Sequence, residues 1–174
     1  MTNSSSLEQL QQYLRRDYFP PEKWKLLNST PFAKRLKIKQ MDTLSMALDV
    51  YELPAGVKVF EENDEATFFA ILISGRIDVL KGVASAGSKL VSTVFPGTTF
   101  GELAIIDGAP RSASAVSSEE SCILVMPKSR FDTLLEKDPA LAASILLYMS
   151  TLMSERLRRI TDALADHLGS INRC

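Results

Sequence analysis

The strongest chemical signal in the chain lies between Phe100 and Ala115: Phe100-Gly101-Glu102-Leu103-Ala104, a spacer, then Pro110-Arg111-Ser112-Ala113. Pro96-Gly97-Thr98-Thr99 reads as a turn leading into one short helical turn over 101–106, where Gly101 lets a ligand approach the backbone closely. Free N–H groups at such a helix start favour an anion. Arg111 follows Gly101 by ten residues, beyond a second turn at Asp107 to Pro110, so the chain can double back and present a guanidinium to the same anion. A planar, permanently charged fork suits phosphate oxygens. Glu102 would repel a phosphate unless it accepted hydrogen bonds from another part of the ligand, and a ribose hydroxyl is the obvious donor. One carboxylate, one guanidinium and one nest of amides together suggest a compact ribose phosphate. Taken singly, each charge has a plainer reading: Glu102 would gain about 0.3–1 kcal/mol from a helix dipole, and Arg111 would simply pair with it.

Other chemistry is excluded by what the chain lacks. Its 174 residues contain one histidine, His167, so a Ser-His-Asp or Cys-His site has a single candidate and a cage of imidazoles cannot be assembled. The same count argues against a cupin-type metal enzyme, the main enzymatic rival for a chain of this texture. Two cysteines, Cys122 in an apolar run and Cys174 at the last position, do not look like a disulfide framework and fit a reducing compartment. Met1 to Leu10 carries no signal-peptide pattern, and no apolar run approaches the roughly 20 residues that span a bilayer. A cytoplasmic location is expected. The net charge of −1 removes the basic excess that non-specific nucleic-acid binding needs. That charge is uneven: residues 15–39 hold eight basic and two acidic side chains, a stretch of +6 against −7 for the remainder. A solvated face over an apolar stripe is the expected role of this segment, ahead of contact with nucleic acid or an acidic partner.

The elements that must position these residues are legible from periodicity. Leu7 to Tyr18 predicts a first helix capped by Ser4, Ser5 or Ser6 and stopped by Pro20-Pro21, with a second helical piece over Glu22 to Leu27. Asp42 to Leu48 is ambiguous between helix end and strand. From Tyr51, short β-branched or aromatic runs separated by Gly, Pro, Asn or Asp predict strands at Val57–Phe60, Phe68–Ile73, Arg76–Leu80, Leu90–Phe95, Ser112–Val116 and Ser121–Met126, the spacing of an all-β sandwich or barrel. Cys122, alternating with apolar residues, is expected in the core. Beyond Pro127, a helix over Ser129–Glu136 precedes an uninterrupted one from Ala140 to about Leu168. Met153, Leu157, Ile160, Leu164 and Ile171 approximate a heptad seam, which a twin helix in a homodimer would cover. The chain divides into an N-terminal helical region 1–45, a β region 46–127 and C-terminal helices 128–174.

Phe-Gly-Glu-Leu-Ala followed by Pro-Arg-Ser-Ala resembles the phosphate-binding cassette of the cyclic nucleotide-binding domain, a family found in catabolite activator proteins, kinase regulatory subunits and gated channels. Leu53-Pro54-Ala55-Gly56, the Ile71–Leu80 run with its Ser74-Gly75 turn, and Met126-Pro127 extend the resemblance to about residues 28–165. It implies a mainly β fold, an antiparallel β-roll of jelly-roll type with N-terminal helices and a long C-terminal helix. It also implies the binding of cAMP or cGMP, with no cofactor, no metal and no catalysis. By that resemblance, Glu102 binds the ribose 2′-hydroxyl and Arg111 an exocyclic phosphate oxygen. The amides of Leu103 and Ala104, with Ser112 and Ala113, hold the rest of the phosphate beside Gly101. Val79 and Val91 flank the base, and Thr161 matches a capping hydroxyl on the C-terminal helix. Ser112 can serve either the phosphate or the exocyclic amine of a syn guanine; cAMP is favoured over cGMP. The expected signal passes through the C-terminal helix, a homodimer and a protein partner. Neither membrane nor direct DNA contact is expected, because the chain ends at Cys174 without room for a helix-turn-helix. Two further readings are a degenerate scaffold whose pocket is unused and a catabolite-activator-type regulator lacking its DNA-binding part.

Overall fold

A computed structural model describes residues 6–15, 17–84 and 87–171. Ser4, Ser5, Cys174 and the side chains of His167 and Ile171 lie outside the described residues. Helix α1 (Ser6–Leu10) is followed by a 3-10 turn (Gln11–Tyr13), β1 (Leu14–Arg15), α2 (Pro20–Asn28), a second 3-10 turn (Pro31–Arg35) and α3 (Ile38–Ala47). The first helix is therefore much shorter than its Leu spacing predicts. At Leu14 and Arg15 the chain becomes an edge strand opposite Tyr51 and Val50, where Arg15 reaches Glu52, a tertiary contact that overrides helical propensity. The ambiguous segment 42–47 is helical, with Met41, Leu44 and Ser45 on its buried face.

Strands β2 (Asp49–Leu53), β3 (Lys58–Phe60), β4 (Phe68–Ser74), β5 (Ile77–Val83), β6 (Gly87–Val94), β7 (Thr99–Phe100), β8 (Ser114–Ser117) and β9 (Ser121–Pro127) complete two antiparallel sheets. One has the order β1-β2-β9-β4-β7, the other β3-β8-β5-β6. Antiparallel sheets with flanking helices and a long C-terminal helix form the expected β-roll.

Strand β4 shows why the sequence folds in layers. Phe68, Ala70 and Leu72 point into the roll, against Phe60, Ile77, Phe100, Ala115 and Val125. Phe69 and Ile71, on the opposite pleat face, pack under the helices with Leu48, Phe131, Leu141, Ile145 and Tyr148. An unbroken apolar run is what a strand buried on both faces requires. The helices on that outer face are α5 (Lys128–Lys137) and α6 (Pro139–Ile171). At about 1.5 Å per residue, α6 extends roughly 50 Å. Its first turns are buried through Leu141, Ala142, Ile145 and Met149, whereas Leu157, Ile160, Leu164 and Leu168 are exposed.

Candidate functional site

The candidate cassette opens where β7 leaves its partner β4. Gly101 turns the chain at φ +76, and a Cβ there would lie 2.8 Å from Arg111 Nη1, so any side chain would strain the backbone and displace the guanidinium. Glu102 then begins the one-turn helix α4 (Leu103–Ile106), its carbonyl accepting from the amides of Ile105 and Ile106. After the turn at 107–110, the backbone of Arg111 is clipped to an earlier loop: its N–H donates to Asp64 O and its carbonyl accepts from Asn63 N–H, both at 2.9 Å. This clip brings Arg111 back beside Gly101, as the spacing predicts.

The Arg111 side chain is only 2% exposed. Nη1 donates to Gly101 O and Nη2 to Phe68 O, each at 2.6 Å, while Cζ sits 4.1 Å from the ring centroid of Phe60 and 4.8 Å from that of Phe68. Two carbonyls and two aromatic rings hold the fork in place, yet no carboxylate lies within 4 Å of it among the described residues. Nε has no partner. Burial pushes the guanidinium down to about 10, which leaves it charged at neutral pH. A buried cation without a counterion in contact is costly unless an anion joins it.

Glu102 does not pair with Arg111. Its carboxylate, 1% exposed, accepts at Oε1 from Arg156 Nη1 at 2.5 Å, and Arg156 Nη2 donates to Thr99 O. Oε2 has no donor. Desolvation pushes the Glu102 carboxyl up, and Arg156 opposes that shift. The plainer reading of the two charges as each other's direct partner is thus incorrect: Glu102 pairs with Arg156, Arg111 donates to two carbonyls, and each keeps one unmet hydrogen-bonding atom.

Glu102 and Arg111 share a cavity of about 360 Å³. Gly101, Leu103, Ala104, Ser112, Ala113, Val79 and Val91 line it too, so nine of the ten residues singled out in the sequence come together. Thr161 is the exception. It is exposed and donates to the carbonyl of Leu157, its own preceding turn, at 2.9 Å. The wall contributed by α6 is instead Arg156, Arg159, Ile160 and Ala163, because the helical phase turns residue 160 rather than 161 toward the opening. Arg156 is the functional candidate that sequence reasoning missed. Arg156, Arg158 and Arg159 are equivalent as letters, and only the docking angle of α6 selects the first to meet Glu102. Among the described residues there is no group of His, Cys, Asp and Glu able to hold a metal. Nor, among them, is any helix long and apolar enough to cross a membrane.

The sequence pattern of the cyclic nucleotide-binding domain matches residues 50–138, just over half of the chain, and the protein belongs to that family. Among its relatives, the chain is 38% identical over 76 residues to the cAMP-dependent protein kinase regulatory subunit of Blumeria graminis, covering 39% of this chain and 19% of that one. It is 28% identical over 123 residues to the CRP-like cAMP-activated global transcriptional regulator of Mycobacterium tuberculosis, covering 71% and 53%. The chain therefore spans about half or less of these relatives. A crystal structure of a cyclic nucleotide-binding domain from Methylobacillus flagellatus superposes with a TM-score of 0.74 at 24% identity over 85% of this chain and 83% of that one, which establishes the likeness of fold.

Proposed function

We propose that this protein is a non-enzymatic sensor that binds a 3′,5′-cyclic nucleotide, cAMP in preference to cGMP, and signals through its C-terminal helix. The observation that carries this reading is one cavity holding a buried cation without a carboxylate in contact and a buried carboxylate oxygen without a donor. A cyclic phosphate supplies the anion for Arg111 and for the free amides of Leu103 and Ala104, with Ser112 and Ala113 closing the cradle. The ribose 2′-hydroxyl supplies the donor for Glu102 Oε2. The base lies between Val79 and Val91 on one side and Ile160 and Ala163 on the other, replacing water over apolar surface. The choice of cAMP is supported by the names of the relatives, a cAMP-dependent and a cAMP-activated protein.

Transmission rests on Arg156. Its bond to Glu102 ties α6 to the group that receives the ribose, so a ligand that favours one position of this carboxylate shifts the population of helix positions by its affinity difference between them. Of the expected seam, Leu157, Ile160 and Leu164 are exposed and Met153 is half-buried; the seam pairs with its twin in a homodimer, and a further protein partner receives the signal. Titration calorimetry with cAMP and cGMP tests the assignment. Saturable 1:1 binding per chain, tighter for cAMP, is expected; no heat and no thermal stabilisation with either nucleotide at millimolar concentration would overturn it.

A further inference from the structure

The basic excess of residues 15–39 is not consumed inside the fold. Arg15 pairs with Asp17 and Glu52, and Lys23 with Asp49 and the carbonyl of Leu48. Lys34, Arg35, Lys37 and Lys39 are all exposed, and among the described residues none has a carboxylate within 4 Å. These four cations fall within six residues. Ile38, between two of the lysines, is 75% exposed, and Met46, two turns along the same face of α3, is exposed as well. Asp42 is the one acidic residue in the whole of α3.

This surface is also rigidly mounted. Phe32, in the 3-10 turn that carries Lys34 and Arg35, stacks on Tyr148 of α6 with centroids 4.6 Å apart. Arg35 Cζ lies 5.7 Å from the same ring. Tyr148 Oη donates to Gly97 O at 2.6 Å, and a Cβ on Gly97 would stand 2.6 Å from Cδ of Pro31. Stacking, a buried hydrogen bond and close backbone contact hold the backbone of the 3-10 turn in place, so the ordering cost of binding falls on the long side chains alone.

We infer that the surface formed by Lys34, Arg35, Lys37, Ile38 and Lys39 is a docking site for an acidic protein segment that carries an apolar side chain to cover Ile38. Charge complementarity sets the sign of the partner. Ile38 sets its class. A nucleic-acid backbone would satisfy the lysines and leave the exposed isoleucine against phosphate. Ile38 and Met46 together bury fewer methylenes than one myristoyl chain, whose membrane binding is marginal, so a bilayer gains little from them. An acidic peptide with interspersed leucines meets both demands.

The site is tested on the full chain with a fluorescein-labelled peptide of about five Glu-Glu-Leu repeats, read by fluorescence anisotropy at fixed low salt. Lys34→Glu/Lys37→Glu/Lys39→Glu should weaken binding at least tenfold, whereas Lys58→Glu/Lys89→Glu/Lys128→Glu, with the same change in net charge, should weaken it less than about twofold. Ile38→Ser, or Leu→Ser throughout the peptide, should weaken it about three- to tenfold. Equal losses in the two triple variants would reduce the effect to net charge and overturn the site. So would a preference of the wild type for phosphatidylserine vesicles or a DNA duplex over the peptide. None of these readouts depends on nucleotide binding.

Discussion

Arg156 Nη1 stands 2.5 Å from Glu102 Oε1, joining the last helix to the cassette across 54 positions of chain. The pair is asymmetric: Glu102 is buried, whereas the Arg156 side chain keeps 30% of its exposure. Removing the arginine therefore leaves a buried carboxylate without its cation, while removing the carboxylate leaves an arginine that can turn to solvent. Arg156→Met is expected to destabilise the fold by about 1–3 kcal/mol. In a chain of this size that lowers Tm by roughly 2–12 °C. Adding Glu102→Gln to Arg156→Met should restore part of the loss in a thermal melt. If the double variant melts below the single one, the pair is not the source of the cost.

The ribose contact is testable without touching the arginine. Glu102→Ala should weaken cAMP binding, and 2′-deoxy-cAMP should weaken it in the wild type by a similar factor. The two losses should not add, since both remove one hydrogen bond. If the deoxy ligand costs the Glu102→Ala protein as much as it costs the wild type, Glu102 does not receive the 2′-hydroxyl.

In the proposed complex, Arg111 faces the charge of the ligand. Arg111→Leu should remove a charge-assisted contact worth about 1.5–3 kcal/mol, a loss of roughly ten- to a hundredfold in affinity. Arg111→Lys should recover little, because one ammonium cannot serve Gly101 O and Phe68 O in the geometry of the fork. Equal affinity of the lysine variant and wild type, measured by calorimetry, would show that charge alone suffices.

The raised carboxyl of Glu102 makes stability depend on pH in a stated direction. Its folded form holds a proton more tightly than a free glutamate at 4.5, so the folded state binds more protons than the unfolded chain through the window from 4.5 up to the raised value. Stability contributed by that proton is present at low pH and is lost as pH rises through the window. The Tm of Glu102→Gln minus that of wild type should therefore grow with pH there and level off above it. A difference that stays flat or shrinks across the window contradicts the assignment.

The distal seam predicts an assembly. Wild-type protein should sediment as a dimer, and Leu157→Lys/Leu164→Lys should give a folded monomer, since Leu157 is 65% exposed within one chain and its replacement opens no core. A wild-type monomer with and without cAMP would remove the dimer from the mechanism.

Much of the architecture is legible in residue types. The buried strand β4 and the return of Arg111 to the side of Gly101 follow from local pattern and spacing, whereas Gly101, expected to make room for a ligand, turns the chain at positive φ with Arg111 Nη1 where a Cβ would stand. Three features are not. The truncation of the first helix depends on Glu52 meeting Arg15, 37 positions away. The partner of Glu102 depends on the docking phase of α6, which also turns Thr161 to solvent. The cage around Arg111 uses the carbonyl of Phe68, a backbone atom that carries no residue signature. Periodicity locates faces of elements; the angle at which one element lies on another is set by packing that no single segment encodes.

The cavity walls come from residues as early as Phe60 and as late as Ala163. During synthesis, a nascent chain that has not yet delivered Arg156 out of the ribosome has a cassette without its last wall and a Glu102 without its cation. In the proposed complex, cyclic nucleotide stabilises the domain by mass action once α6 is in place, and a released chain truncated at residue 155 should retain the ligand more weakly than the full chain.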